Sequence, residues 1–378
     1  MYYYVIMKIA VTSIAKNEEK FVERWFESAL DADQIILVDT GSTDRTKEIF
    51  LELKEKYEDR VEAILHEINI MPWRFDNARN CNLALIQPEV DLIIHLDLDE
   101  ILANNWREPL EQIAIQNPDA TRFNYKFVWS WNTDGTPAVQ YNSDKIHRNI
   151  GYAWKHPAHE ILWYPEEVIV FVPDFEIHHF PDNTKPRSQY LSLLQLGVLE
   201  KPDDDRIAHY YARELYYYQK YEEAIDEFNR HLELPSSVWK EERAMSYFYM
   251  AKCYFMLDKK MEALSSAYKS VSESPHIRES WLCLAETTYF TGLYEDCVFA
   301  CRKAFSITHN NMLYINDPKA WGPFLYDIGS ISAFNLGYYD LALEWIDECV
   351  KLTINNDDKQ RVINNRKRFK EIIDQKSS

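Results

Sequence analysis

Glycine is scarce in this chain, eight among 378 residues. No G-x-G-x-x-G and no Walker loop is present, which excludes a dinucleotide-binding fold and a P-loop ATPase. The six cysteines, Cys81, Cys253, Cys283, Cys297, Cys301 and Cys349, form no C-x-x-C pair. A chain this long is not a disulfide mini-scaffold, so free thiols in a reducing compartment are expected. No apolar run approaches the ~18 residues of a membrane span. The start, Met1 to Ile14, lacks the charged segment, apolar stretch and cleavage site of a signal peptide, so a cytoplasmic location is expected. No Lys/Arg run that would serve as a concentrated basic patch is found, and 61 acidic against 42 basic residues leave a net charge of −19. Such a chain repels nucleic acid phosphates and is not drawn to anionic lipid.

What is present is aromatic: 25 Tyr, 18 Phe and 11 Trp. Length points to two or three domains. The first hundred residues alternate strand and helix patterns. Strands are expected at Lys8–Ala15, Gln34–Asp39, Val61–His66 and Asp91–Leu98. Helices are expected at Glu19–Leu30, Thr43–Tyr57 and Phe75–Ile86. This alternation implies a mainly parallel sheet covered on both faces. From about Ala103 to Phe180 the pattern turns irregular and aromatic, with short strand-like runs at Ala120–Trp129 and Glu167–Val172. It reads as an insertion completing a binding site, with Trp73, Trp129, Trp131 and Trp154 as a candidate platform.

After about Pro186 the pattern is helical. Ala224, Ala263, Cys297 and Ala342 occupy equivalent small-residue positions, and the middle pair is 34 residues apart. Tyr247 and Trp281 stand sixteen residues before their anchors, with Ala251 and Ala285 beyond them. This region, roughly Ile207 to Val350, resembles tetratricopeptide repeats, with a charged helix at Asp357–Lys370 as a cap. The outer spacings are 39 and 45 residues, so longer connections are expected there. The expected division is 1–200 for the α/β domain and 201–378 for the repeats.

Polar residues of the first domain gather where strands end. Asn17 and Glu18 follow the first strand; Asp39 ends the second, with Ser42 and Asp44 beyond; Asp97 and Asp99 end the fourth. In an open parallel sheet this is the ligand-binding edge. In an extended segment Asp97 and Asp99 point the same way, and two close carboxylates ask for a cation, most naturally Mg²⁺ or Mn²⁺ bridging to phosphate. A haloacid-dehalogenase phosphatase is disfavoured, because its nucleophile Asp belongs on the first strand and Lys8–Ala15 has none.

The segment from Thr12 through Ile49, with its Asn17-Glu18 pair and Val38, Asp39, Ser42, Asp44 and Thr46, is similar to the opening of family-2 glycosyltransferases of the GT-A fold. So are Trp73, Phe75, Ala78, Arg79 and Asn80, then Leu96, Asp97, Asp99 and Glu100, and farther on His159-Glu160 and Ile177-His178. The resemblance covers about residues 8 to 200, and appended tetratricopeptide repeats occur in the same subtype. It implies an inverting transferase moving a sugar from a nucleotide diphosphate, UDP favoured, to an acceptor hydroxyl. Asp39 would bond the base, the stretch Ser13, Ala15 and Asn17 would line the nucleoside pocket with Ser42, and Glu18 would order it. Asp97 and Asp99 would hold Mn²⁺ or Mg²⁺ on the pyrophosphate, and His178 would complete the metal site. Arg79 would lie at the phosphates. Glu160 is the expected base, with His159 or Asp182 in reserve. A protein, peptide or glycan acceptor recruited by the repeats, and self-association, fit this frame. The alternative is a tetratricopeptide adaptor carrying an inactive nucleotide-sugar domain.

Overall fold

The computed structural model describes residues 7–182 and 190–377. Two compact units divide the chain: residues 1–130 with 140–193, and residues 131–139 with 194–378.

The first unit opens with β1 (Ile9–Ala15), α1 (Val22–Ser28), β2 (Gln34–Asp39), α2 (Thr46–Lys56), β3 (Glu62–Glu67), α3 (Phe75–Ala84) and β4 (Leu92–His95). It continues with β5 (Glu100–Leu102), α4 (Arg107–Gln116), β6 (Arg122–Trp131), β7 (Pro137–Arg148), β8 (Ala153–Lys155), β9 (Ile161–Trp163) and β10 (Ile169–His179). Eight strands form one mainly parallel sheet in the order β3-β2-β1-β4-β7-β6-β10-β5, and β8 and β9 make a separate pair. β1 runs parallel to β2 and β4, and β2 to β3. β7 joins β4 antiparallel, β10 is parallel to β6, and β5 returns antiparallel on β10.

The central strands are apolar on both faces because helices cover both. Ile9, Val11, Ile35 and Leu37 pack with Trp25, Phe26 and Phe50. On the other side Ala10, Ile36, Val38 and Ile93 meet Leu83, Ile86 and Val90. Phe26 is fully buried, worth about 1.5–3 kcal/mol of apolar transfer. Trp25 is equally buried, and its indole N–H donates to the Leu96 carbonyl at 2.8 Å. Core packing thereby pins the segment that follows β4.

Two local expectations fail. The stretch 103–180 is no irregular insertion. It supplies the three longest strands, β6, β7 and β10, to the main sheet. β7 (PAVQYNSDKIHR) is largely half-exposed, so it lacks the apolar alternation that marks a strand in sequence. The fourth strand also stops at His95, not Leu98. Asp97–Glu100 is a turn closed by the Glu100 N–H on the Asp97 carbonyl at 2.9 Å. The two aspartates therefore do not alternate along an extended segment.

Apart from residues 131–139, the second unit is helical: after α5 (Tyr190–Glu200), which crosses the division at residue 193, come α6 (Asp205–Tyr217), α7 (Tyr221–Glu233), α8 (Lys240–Met256), α9 (Lys260–Glu273), α10 (Arg278–Thr291), α11 (Tyr294–Ser306), α12 (Pro318–Trp321), α13 (Phe324–Asn335), α14 (Tyr339–Leu352) and α15 (Asn356–Ser377). The repeat anchors Ala224, Ala263, Cys297 and Ala342 fall on α7, α9, α11 and α14, each with no exposed surface. Small residues there let paired helices approach closely. Ala251 and Ala285 do the same on α8 and α10. Gly292 ends α10 in the left-handed conformation, φ +79°, which glycine adopts without strain. The 45-residue spacing between Cys297 and Ala342 is taken up by residues 307–323, an extended stretch followed by α12. No helix among the described residues is long and apolar enough to cross a membrane.

Candidate active site

Registers place Ala15, Asp39 and Glu67 side by side at the carboxyl edge of β1, β2 and β3. Asp39 is fully buried. Its Oδ1 accepts the Gly41 and Ser42 N–H groups, each at 2.9 Å, and so folds the turn after β2. Its Oδ2 is buried and meets no donor among the described residues. A fully buried acceptor left open costs free energy unless a ligand fills it.

The loops after β1 and β2 are knitted together by their polar side chains. Ser42 Oγ accepts the Asn17 N–H at 2.9 Å, and Asn17 Oδ1 accepts the Thr43 N–H at 2.8 Å. Thr46 Oγ1 accepts the Glu18 N–H at 2.7 Å, and Asp44 accepts the Glu19 N–H at 3.1 Å. Asn17 sits at φ +58°, a region asparagine tolerates better than most residues. Ser13 is buried with its hydroxyl on a neighbouring carbonyl, and the Ala15 carbonyl accepts from Thr40. Asn17, Ser42 and Asp44 hence serve first to fix the loops around Asp39.

At the turn after β4 charges are paired densely. Arg79, on α3, is buried. It donates to Asp97 Oδ1 at 2.8 Å and to Glu160 Oε1 at 2.5 Å, and its guanidinium lies 4.8 Å from the Trp154 ring centre. Its Nη1 is buried with no acceptor among the described residues. Lys145 of β7 donates to Asp97 Oδ2 at 2.7 Å and Glu100 Oε1 at 3.1 Å. Burial alone would raise the Asp97 pKa, but the two cations hold it well below the carboxylate range. Glu100 goes the other way, to about 7, because burial and the charges of Asp97 and Asp99 outweigh Lys145. Lys145 escapes sequence reasoning, since it lies on the strand that periodicity does not reveal.

Asp99, a third exposed, stands 3.3 Å from His179 Nε2. The expected partner His178 instead pairs with Glu176 at 3.0 Å. Successive residues of β10 face opposite sides of the sheet, so only one of the two histidines can face Asp99, and it is His179. The His179 Nδ1–H donates to the Trp129 carbonyl at 2.9 Å, which leaves Nε2 as the ring atom on the Asp99 side. Burial lowers the His179 pKa, but the hydrogen bond and charge of Asp99 more than reverse that, and it sits above the ordinary imidazole value. A carboxylate and an imidazole Nε2, oriented by a carbonyl behind it, are donors a divalent cation accepts. Asp97, with a cation already on each oxygen, is a weaker ligand than the D-x-D pattern suggested.

Glu160 and His159 lie in the loop between β8 and β9, where His156 and His159 adopt φ of +79° and +51°. Strained residues of this kind persist where the surroundings over-determine them, often at functional sites. Among the proposed platform residues, Trp129 is exposed and stacks on His179, ring centres 4.2 Å apart. Trp154 is buried edge-on to His95, and Trp73 packs edge-on to Phe75. Asp182 pairs with Lys20 at 3.0 Å. Among the described residues, the one trio of metal-capable side chains converging within 4.8 Å is Asp205, His231 and Glu242, in the helical unit.

A mainly parallel α/β sheet whose carboxyl edge carries a buried open acceptor, paired loops and an acidic turn is the arrangement of a ligand-binding α/β domain. Residues 11–161 match the family described as glycosyl transferase family 2, and the chain carries a domain of that family followed by tetratricopeptide-like repeats. No curated protein matches the chain. Solved structures similar to it include YrrB, titled a TPR protein with an unusual peptide-binding site, at 15% identity over 48% of this chain and 85% of that one, TM-score 0.38. Others are TTC0263, a thermophilic TPR protein of Thermus thermophilus, at 14%, 46% and 87%, TM-score 0.35, and MamA of Desulfovibrio magneticus RS-1, at 14%, 44% and 84%, TM-score 0.35.

Proposed function

We propose that the first unit transfers a sugar from a nucleotide diphosphate to an acceptor hydroxyl with inversion at the anomeric carbon. The observation that carries this is a pair of unfilled valences at one sheet edge: the Asp39 Oδ2 acceptor and the Arg79 Nη1 donor. A uracil ring offers an imide N–H to the first, and a diphosphate offers oxygens to the second, so UDP-sugars suit both. A divalent cation, Mn²⁺ or Mg²⁺, held by Asp99 and His179, would supply Lewis-acid stabilisation of the diphosphate. Arg79 adds a fixed positive charge where negative charge grows on the leaving group. Glu160 keeps Oε1 on Arg79, and its other oxygen takes the acceptor proton as the new C–O bond forms and the bond to diphosphate breaks. His159, beside it, shapes this loop.

The test is release of free nucleoside diphosphate from a panel of nucleotide sugars with Mn²⁺ or Mg²⁺. Metal-dependent hydrolysis of one donor, lost in Asp99→Asn, is the expected result. Absence of both turnover and metal-dependent nucleotide binding in folded protein would leave the adaptor reading in its place.

A further inference from the structure

Within the helical unit, three metal-capable side chains meet where α6 and α8 begin and α7 ends. Asp205 is the first residue of α6, His231 lies in the last turn of α7 and Glu242 in the first turn of α8. One ligand atom from each lies within 4.8 Å of the other two. His231 has no exposed surface, Glu242 is 3% exposed and Asp205 is half-buried.

This cluster is short of positive charge. Buried carboxylates need a compensating charge. Glu242 Oε1 stands 3.5 Å from His231 Nε2, beyond good hydrogen-bond length, and the imidazole carries charge only when protonated. The Tyr314 hydroxyl gives Glu242 Oε2 a hydrogen bond but no charge. No Lys or Arg pairs with Asp205 or Glu242 among the described residues. Two other inward acids of this unit do have cations: Glu286 pairs with Lys252 and Lys319, and Asp327 with Arg361. Burial and the neighbouring Glu242 carboxylate raise the Asp205 pKa, as expected of one anion crowding another.

His231 is oriented as a ligand would be. Its Nδ1 is 2.9 Å from Ser246 Oγ, which also meets His209 Nδ1 at 2.8 Å. A serine hydroxyl has one proton. With that proton on His209, the His231 Nδ1–H donates to Ser246 and Nε2 keeps its lone pair on the carboxylate side. An imidazole fixed through its other nitrogen is the usual state of a metal-bound histidine. The Ser237 hydroxyl, 3.1 Å from Nε2, places a further oxygen beside the trio.

We propose that Asp205, His231 and Glu242 form a zinc site that clamps α6, α7 and α8 together. One imidazole and two carboxylates suit Zn²⁺, and their two negative charges match the ion. Ligands from three successive helices make the ion a staple at one end of this helix trio, with the fourth position left to Ser237 or water. The ion enters past Asp205, the most exposed of the three. The site is separate from the Asp99–His179 pair and stands independently of sugar transfer by the first unit.

The probe is Co²⁺, whose visible absorption reports ligand geometry, followed by competition with Zn²⁺. It is titrated into chelator-dialysed full-length Asp99→Asn, which lacks the sheet-edge carboxylate, and into Asp99→Asn/Asp205→Asn. The second substitution keeps side-chain shape, and circular dichroism checks the fold of each. Asp99→Asn is expected to bind one equivalent of Co²⁺ that Zn²⁺ displaces. Affinity is expected to fall at least about 100-fold in the double variant, more than loss of a residue that only supports a ligand. Zn²⁺ is also expected to slow amide exchange at residues 231–242 of wild type, a readout that needs neither variant nor activity. Absence of bound Co²⁺ in Asp99→Asn, equal affinity in the folded double variant, or unchanged exchange at 231–242 in excess Zn²⁺ overturns the proposal.

Discussion

The two units use the same polar residue types to opposite ends. In the helical unit, Ser246 Oγ bonds His209 Nδ1 at 2.8 Å and His231 Nδ1 at 2.9 Å, while Ser237 bonds His231 Nε2 at 3.1 Å. These groups are buried and satisfied by one another, and they specify how α6, α7 and α8 meet. At the edge of the sheet, Asp39 and Arg79 are buried too, yet each keeps one atom without a partner among the described residues. Burial of a polar group therefore does not by itself mark a site. Nor does an unfilled valence alone, since Ser280 Oγ and Asp327 Oδ1 of the helical unit are also buried without a partner among the described residues; at the sheet edge the open atoms coincide with strand ends and the loops that follow them.

The largest effect should come from Arg79, which neutralises Asp97 and Glu160 together while 7% of its side chain is exposed. Arg79→Met leaves both carboxylates short of a cation, and we expect a loss of about 3–5 kcal/mol. Hydrogen-exchange protection of β1 and β4 amides measures it. Protection in α8 and α10 should not change, and a loss there would break the separation drawn between the units.

Asp99→Asn should act on chemistry and spare stability, since Asp99 is a third exposed. Donor turnover is expected to fall about 100-fold, equivalent to about 2.7 kcal/mol. His179→Gln should follow it in metal dependence and His178→Gln should not. Matching kinetics for the two histidine variants would contradict the assignment by strand face.

Gly329 shows how tightly the helical unit is packed without any ligand. A Cβ there would come within 2.8 Å of the Trp345 ring and 3.1 Å of Cys301 Sγ. Gly329→Ala should cost about 1–3 kcal/mol, read as lost exchange protection in α13 and α14. Unchanged protection would mean that this core is looser than the one beneath the sheet.

The smallest effect is on pH. Burial depresses the His209 pKa to about 3, so the folded state holds it neutral while the unfolded chain protonates near 6.5. Between those values the unfolded state binds more protons. Stability is therefore full above about pH 6.5 and declines as pH falls, by about 1 kcal/mol per unit. Urea titrations of wild type and His209→Gln at pH 7 and pH 5 should show the slope reduced in the variant, with His95 and His147, also held neutral by burial, supplying the remainder.

Several elements of the site are legible in the chain. Asp39, Arg79, Asp97 and Glu160 follow from motifs, and Arg79, Asp97 and Glu160 form one hydrogen-bonded network. Lys145 is not legible, because β7 alternates weakly between two half-exposed faces. Its place beside Asp97 comes from antiparallel pairing with β4, a contact between residues about fifty apart. His179 is hidden by a parity problem: adjacent histidines differ only in which face they take, and a one-residue shift exchanges them.

By itself, the sequence determined the alternation of β and α elements in the first domain, the repeat period and the strand ends where polar residues gather. These depend on local periodicity and on small residues at fixed intervals, which the chain carries in its own order. Tertiary structure decided which valences stay open, which histidine meets Asp99, and where the connection at 307–323 rests. Each of these depends on pairing between distant segments, where burial and hydrogen-bond geometry discriminate between partners that look alike in the chain.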